Sequence, residues 1–301
     1  MRRIRNLIRE IFGFVLGISG IAWALRSIFC RNKATILVYH RPDPRTFKAH
    51  LEYLSKRYRF ISMDTFLRAI ENGKPSDIPP KALVVTLDDG CKSNYDLLAI
   101  IKEFKIRPTL FICSHIITTN RHFWWSGMPN SSARSIKKLP TEHALEKLRR
   151  EAGYEITREY EDRQALCESE ILEMEPHVDF GSHSQFHTVL TQCKDEECMD
   201  EIRNSKRTLD AHLSKPVEDF AYPNGDYGER EVEYLRACGY RSARTLDVGW
   251  NGVDADPYRL KAIGIEDDAS INILCGQLTG IFAYLKYLWH GSFSGMRPPF
   301  L

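Results

Sequence analysis

Two carboxylates stand side by side at Asp88 and Asp89, followed at once by Gly90, where the apolar run Ala82-Leu83-Val84-Val85-Thr86-Leu87 ends. Adjacent like charges leaving a buried strand are costly unless a cation or a proton separates them. Asp-Gly is also a frequent turn dipeptide, so the pair alone fits a solvated turn equally well. A second string, Gly181-Ser182-His183-Ser184-Gln185-Phe186-His187, also follows an apolar strand pattern. Its histidines are four residues apart, a spacing that on a helical turn brings both imidazoles to one side. By itself such a pair is more often structural or solvent-facing. Joined with a carboxylate from another strand end, it offers two nitrogens and one oxygen and leaves positions open for water, which suits a catalytic divalent metal. A third string, Phe220-Ala221-Tyr222-Pro223-Asn224-Gly225-Asp226, ends a further strand pattern.

Bringing these strings together requires parallel strands, whose carboxyl ends share one face. From residue 34 short β-branched runs alternate with stretches of helical spacing, the signature of βα units. Strands are predicted at Ile36–His40, Phe60–Ser62, Ala82–Leu87, Thr109–Cys113, Val178–Gly181, Asp219–Tyr222 and Tyr240–Ala243. Helices are predicted at about 46–57, 63–70, 93–104, 196–213, 229–238 and 271–288. Phe47, Leu51 and Leu54 mark the buried face of the first of these. Residues 114–176 are polar and charged, carry Trp124-Trp125 and a helical stretch at about 142–150, and read as an insertion on a barrel. The Trp pair and Tyr222 are candidates for stacking on sugar rings, with core packing as the alternative.

The three strings resemble those of the polysaccharide deacetylase family, also called the NodB-homology or carbohydrate esterase family four domain. Its aspartate motif is similar to Thr86-Leu87-Asp88-Asp89-Gly90 and its histidine motif to His183-Ser184-Gln185-Phe186-His187. Leu37-Val38-Tyr39-His40-Arg41 and Asp256-Pro257-Tyr258-Arg259-Leu260 also resemble the family, so the likeness covers about residues 34–270. The resemblance implies a distorted (β/α) barrel of parallel strands. It implies Asp88 as general base, and Asp89, His183 and His187 as ligands of a divalent metal, zinc first, with cobalt, nickel or iron as alternatives. It further implies a metal-activated water attacking an acetyl carbonyl, and an oxyanion helped by a backbone N–H matched at Asn224.

Where the family usually offers an arginine that orients the base, this chain has Ala221, and the usual aromatic after proline is Asn224. Base positioning must then come from elsewhere or be poor. The family's general-acid histidine is matched only by Leu288-Trp289-His290, and the fourth motif, an acid beside tryptophan, by Asp247-Val248-Gly249-Trp250. His40, at the end of the first strand, is a second candidate acid. The implied activity is N-deacetylation of amino sugars in a polysaccharide or cell-surface glycan. The alternatives are a catalytically impaired carbohydrate-binding protein on the same barrel and an O-acetyl esterase.

The 301 residues are 43% hydrophobic and 27% charged, ample for one large core. With 42 basic and 40 acidic side chains the net charge is +2, which leaves no nucleic-acid footprint. Eight cysteines show no repeated spacing, so free buried thiols fit at least as well as a disulfide framework, and the lack of any Cys-x-x-Cys argues against a zinc ribbon. The chain is expected to divide into a basic, apolar N-terminal segment over residues 1–33 and a catalytic domain over 34–301. In the first, Arg2, Arg3, Arg5 and Arg9 precede an apolar run from Ile11 to Leu25, and Arg26, Arg31 and Lys33 follow it. At fifteen residues that run is short of the roughly 20 that span a bilayer. It is expected to associate with or anchor to a membrane rather than span it or, alternatively, to pack on the domain as an amphipathic helix.

Overall fold

The structure, a computed structural model, describes residues 2–20, 22, 24, 27 and 31–282. In chain order its elements are α1 (Arg2–Ile18), β1 (Thr35–Tyr39), α2 (Pro44–Ser55), β2 (Arg59–Phe60), α3 (Met63–Asn72), β3 (Ala82–Leu87), α4 (Leu98–Phe104) and β4 (Thr109–Ile112). There follow α5 (Asn130–Ile136), α6 (Thr141–Ala152), α7 (Glu168–Met174), β5 (Asp179–Ser182), α8 (Asp195–His212), β6 (Asp219–Ala221), α9 (Glu229–Ala237), β7 (Ser242–Arg244), β8 (Ile263–Gly264) and α10 (Ile271–Leu278). The chain forms two compact units, one from residues 1–87, 96–109 and 245–301, the other from 88–95 and 110–244.

In the first unit β1 pairs in parallel with β3 from Thr35–Leu83 to Tyr39–Leu87, and β8 and β2 pair in parallel with β1 and β3. Every residue of β1 and β3 is buried, which is why both read as unbroken apolar runs rather than alternating ones. The Asp43 side chain accepts from the backbone N–H groups of Arg45 and Thr46 and so starts α2, whose Phe47, Leu51 and Leu54 are buried as their spacing predicts. The two-residue β8 went unpredicted because it is too short to show any periodicity. The expected last helix is α10, and the part of that expectation beyond residue 282, with His290, lies outside the described residues.

The N-terminal helix α1 packs along α10. Here Gly13 is needed for close approach: a Cβ at that position would stand 2.0 Å from the carbonyl oxygen of Asn272. Leu16, Ala22 and Cys275 form a small buried cluster there, flanked by Phe12, Tyr53 and Ile281. Among the described residues no helix is long and apolar enough to cross a membrane.

In the second unit β4, β5, β6 and β7 are neighbours in that order, with β5–β6 and β6–β7 parallel. The insertion is more helical than its composition suggested: it carries α5, α6 and α7, and α5 and α6 contribute Ile136 and Leu148 to a core shared with Trp124 and Tyr154. Strand β7 starts two residues later than predicted. Tyr240 is still tied to the end of α9 through its N–H to the Leu235 carbonyl, 3.1 Å, so the ladder opens only at Ser242. That shift makes Arg244 the last residue of the strand. The seven cysteines among the described residues are free thiols, as expected.

Candidate metal centre

Asp88 and Asp89 follow β3, and the chain turns there through two successive left-handed residues, Asp89 at φ 76° and Gly90 at φ 76°. Aspartate tolerates that region better than most residues, whereas position 90 admits only glycine, since a Cβ would lie 2.7 Å from Ile112 Cγ2. The result is two adjacent carboxylates with different surroundings. Both oxygens of Asp88 accept from the Arg244 guanidinium, at 2.7 and 2.6 Å, and both residues are buried. Asp89 Oδ1 lies 3.7 Å from His183 Nε2 and 3.6 Å from His187 Nε2.

The histidines do not sit on a helical turn, in contrast to the expectation from their spacing. Residues 184–186 form a turn, with Ser184 at φ 62° and His187 at φ 58°, and this reversal brings the two rings to 4.7 Å between centroids. The turn is held from below by Glu201 of α8. One oxygen accepts from the N–H groups of Gln185 and Phe186, and the other from the Thr188 hydroxyl. Burial pushes the Glu201 carboxyl above its ordinary range, and these hydrogen bonds oppose that shift. Removing it leaves buried donors without an acceptor. Glu201→Ala is therefore expected to lower stability by about 3 kcal/mol and to weaken metal binding, checked by urea denaturation and metal titration.

His183 Nδ1 lies 2.8 Å from the carbonyl oxygen of Ala221, which only accepts, so this nitrogen carries the proton and Nε2 offers its lone pair toward Asp89. Burial lowers the His183 pKa below the usual histidine value, which keeps the ring neutral and able to bind a metal. Asp89, His183 and His187 are all buried, and one donor atom from each lies within 4.8 Å of the others. The separations of 3.6 and 3.7 Å are too long for hydrogen bonds. They are close to the edge of about 3.4 Å of a tetrahedron with ligand bonds of about 2.1 Å, so the three groups fit a divalent ion.

Arg244 supplies what Ala221 cannot. It reaches Asp88 from β7, the strand after the one the motif pattern pointed to, with its guanidinium 5.3 Å from the centre of the Phe111 ring. Lys137, at the end of α5, is the insertion's contribution. Its ammonium donates to Asn224 Oδ1 at 2.7 Å, and the Asn224 amide donates in turn to Asp226. Burial lowers the Lys137 pKa, while the charges of Asp89 and Asp226 pull it back up. Asn224 itself takes φ 62°, and its side chain is held between these two partners.

Sequence reasoning missed Arg244, Glu201 and Lys137. The legible signal for the first was an arginine directly after Ser242-Ala243 in a chain lacking the family's own. His40 belongs to the first unit, where its backbone N–H donates to Asp267 at 3.0 Å, and it is not one of the clustered residues. Trp124 is buried in the insertion core and donates its indole N–H to the His187 carbonyl at 3.3 Å, while Trp125 stands edge-on to the His187 ring at 4.4 Å. Tyr222 is 1% exposed and packed against Phe220 and Tyr227, so it serves the core and does not stack on a sugar.

A model of the polysaccharide deacetylase family matches residues 76–243, which hold the whole of this centre apart from Arg244. The chain belongs to that family, hydrolases that act on carbon–nitrogen bonds other than peptide bonds. It is 24% identical over 227 residues to the poly-β-1,6-N-acetyl-D-glucosamine N-deacetylase of Staphylococcus epidermidis, covering 74% of this chain and 67% of that one. Its fold is similar to that of the Streptococcus pyogenes deacetylase PplD, with a TM-score of 0.61 at 20% identity over 82% of this chain and 98% of that one. It is also similar to IcaB from Ammonifex degensii, with a TM-score of 0.57 at 18% identity over 82% and 97% of the two chains. The (β/α)-barrel class expected from the sequence is thus borne out.

Proposed function

We propose that this protein is a metal-dependent N-deacetylase of an amino-sugar polymer or cell-surface glycan. The observation that carries the reading is the buried Asp89–His183–His187 cluster beside a second carboxylate, Asp88, that is clasped by an arginine. Asp89, His183 and His187 would hold the ion, zinc or a similar divalent metal. Bound there, it supplies Lewis acidity, lowering the pKa of water toward about 7 and polarising a carbonyl oxygen. Asp88 takes the proton of the attacking water, and Arg244 keeps that carboxylate ionised and aimed. Water oxygen becomes part of the acetate, the carbon–nitrogen bond breaks, and the departing nitrogen needs a proton.

Lys137 is the group assigned to provide that proton: its half-buried ammonium is held by Asn224 of the third motif, and its lowered pKa makes it a readier proton donor than an exposed lysine. Lys137→Met is expected to lower kcat by about 10²-fold with metal content unchanged, read by steady-state kinetics alongside metal analysis. A variant with full turnover would remove Lys137 from the reaction.

The relative's substrate makes β-1,6-linked N-acetylglucosamine oligomers the first compounds to test, with chitooligosaccharides beside them. Acetate release is expected, to be abolished by a chelator and restored by zinc or cobalt. Binding without release under any metal would instead favour a carbohydrate-binding protein. The missing family arginine and the unmatched general acid motivate that reading, and Arg244 answers the first of them. Faster release from O-acetyl than from N-acetyl sugars would favour the esterase reading.

A further inference from the structure

The seven large hydrophobic side chains that stand exposed among the described residues are not scattered: six of them, Leu7, Ile8, Ile11, Phe14, Val15 and Ile18, lie on α1, each 46–68% exposed. Their spacing of three, four and seven residues puts them in one stripe along the helix. The opposite face of α1 is already used. Phe12 and Leu16 pack toward Cys275, Gly13 abuts the Asn272 backbone, Glu10 accepts from the Asn272 amide at 3.2 Å, and Arg9 pairs with Glu266 at 2.9 Å. The helix is thus fixed to its unit by one side and presents a continuous apolar stripe on the other. Scattered surface hydrophobics need no explanation, but a stripe of this kind does.

Charge selects the occupant. Residues 1–33 carry seven basic side chains against one acidic, with three arginines among the first five residues. An apolar stripe flanked by arginine is the pattern of a helix lying in the plane of an anionic lipid surface. A seventeen-residue helix is also too short to cross, about 26 Å at 1.5 Å per residue against about 30 Å of hydrocarbon. We propose that α1 docks the protein on the surface of an anionic membrane, lying flat with Leu7, Ile11, Phe14 and Ile18 in the lipid. This does not rest on the deacetylase reading.

The test uses the full chain and sedimentation with vesicles of equal parts phosphatidylcholine and phosphatidylglycerol, compared with phosphatidylcholine alone. Binding is expected to the anionic vesicles, weaker to the neutral ones and falling with salt. Ile11→Glu and Ile18→Glu are each expected to weaken it by about tenfold, with an unchanged melting temperature because neither side chain is packed. Both variants should hydrolyse a soluble acetylated oligosaccharide as the parent does, which separates this outcome from any failure of the catalytic assignment. A parent chain that stays in the supernatant, or binding indifferent to both variants, overturns the proposal. So does a concentration-dependent dimer that Ile11→Glu abolishes in the absence of lipid binding, since the stripe would then belong to a second copy.

Discussion

Asp88→Asn is expected to keep the metal and lose turnover by about 10³-fold, whereas Asp89→Ala and His183→Ala lose both metal and turnover. The two aspartates differ in partner, not in depth: both are buried, but Asp88 spends its oxygens on Arg244 and Asp89 directs Oδ1 at two imidazoles. An asparagine at 88 still offers Arg244 a carbonyl oxygen, so the arginine retains an acceptor, but an amide does not take a proton from water. Metal analysis of the purified variants beside acetate release reads the two losses separately. An Asp88→Asn protein that comes out free of metal would assign Asp88 to the ligand set and leave the reaction without an identified base. His183→Ala should also sacrifice the bond to the Ala221 carbonyl, so its loss of metal should be accompanied by some loss of stability, of the order of 1 kcal/mol.

The parts of this centre that the sequence reveals are those whose meaning is local. Asp88-Asp89-Gly90 at the end of an unbroken apolar strand, and two histidines four apart after another, are contiguous strings. The physical reasons for their residue types, charge repulsion and a left-handed turn, act within a few positions. The residues that stayed hidden gain their roles only from packing. Glu201 is one acid among several in α8, and nothing in Asp195-Glu196-Glu197-Cys198-Met199-Asp200-Glu201 marks it as the one turned inward under the histidine turn. Lys137 lies in a polar insertion that gives no periodic signal for the direction its side chain takes. The histidine spacing illustrates the converse: four residues on a helix and four residues around a left-handed turn both bring rings together, so the pairing was legible and the backbone that makes it was not. For Arg244 the obstacle was register. A three-residue strand tolerates a two-residue error in its limits, and that error is enough to leave the decisive side chain outside the predicted element.

Arg244→Met should expose what that side chain is for. Removing one member of a fully buried ion pair leaves the other charge without compensation, and the expected cost is about 3–5 kcal/mol, measured by denaturant unfolding. Turnover should fall as well, because Asp88 would lose its orienting donor and its negative charge would have no arginine beside it. Arg244→Lys separates the two effects: one ammonium restores the charge but not the planar guanidinium, so stability should recover more than kcat does. The double variant Asp88→Asn/Arg244→Met carries the argument further. If the pair existed for stability, the double variant would be markedly less stable than the parent. A buried pair is instead often neutral or costly relative to uncharged residues of similar size, so the double variant is expected to be more stable than Arg244→Met alone and to be inactive. That outcome would mean the chain tolerates the desolvation of two charges at this strand end for the sake of one ionised, immobile carboxylate next to the metal ligands. A double variant less stable than either single change would make Arg244 a structural residue, and the orientation of the base would have to be sought elsewhere.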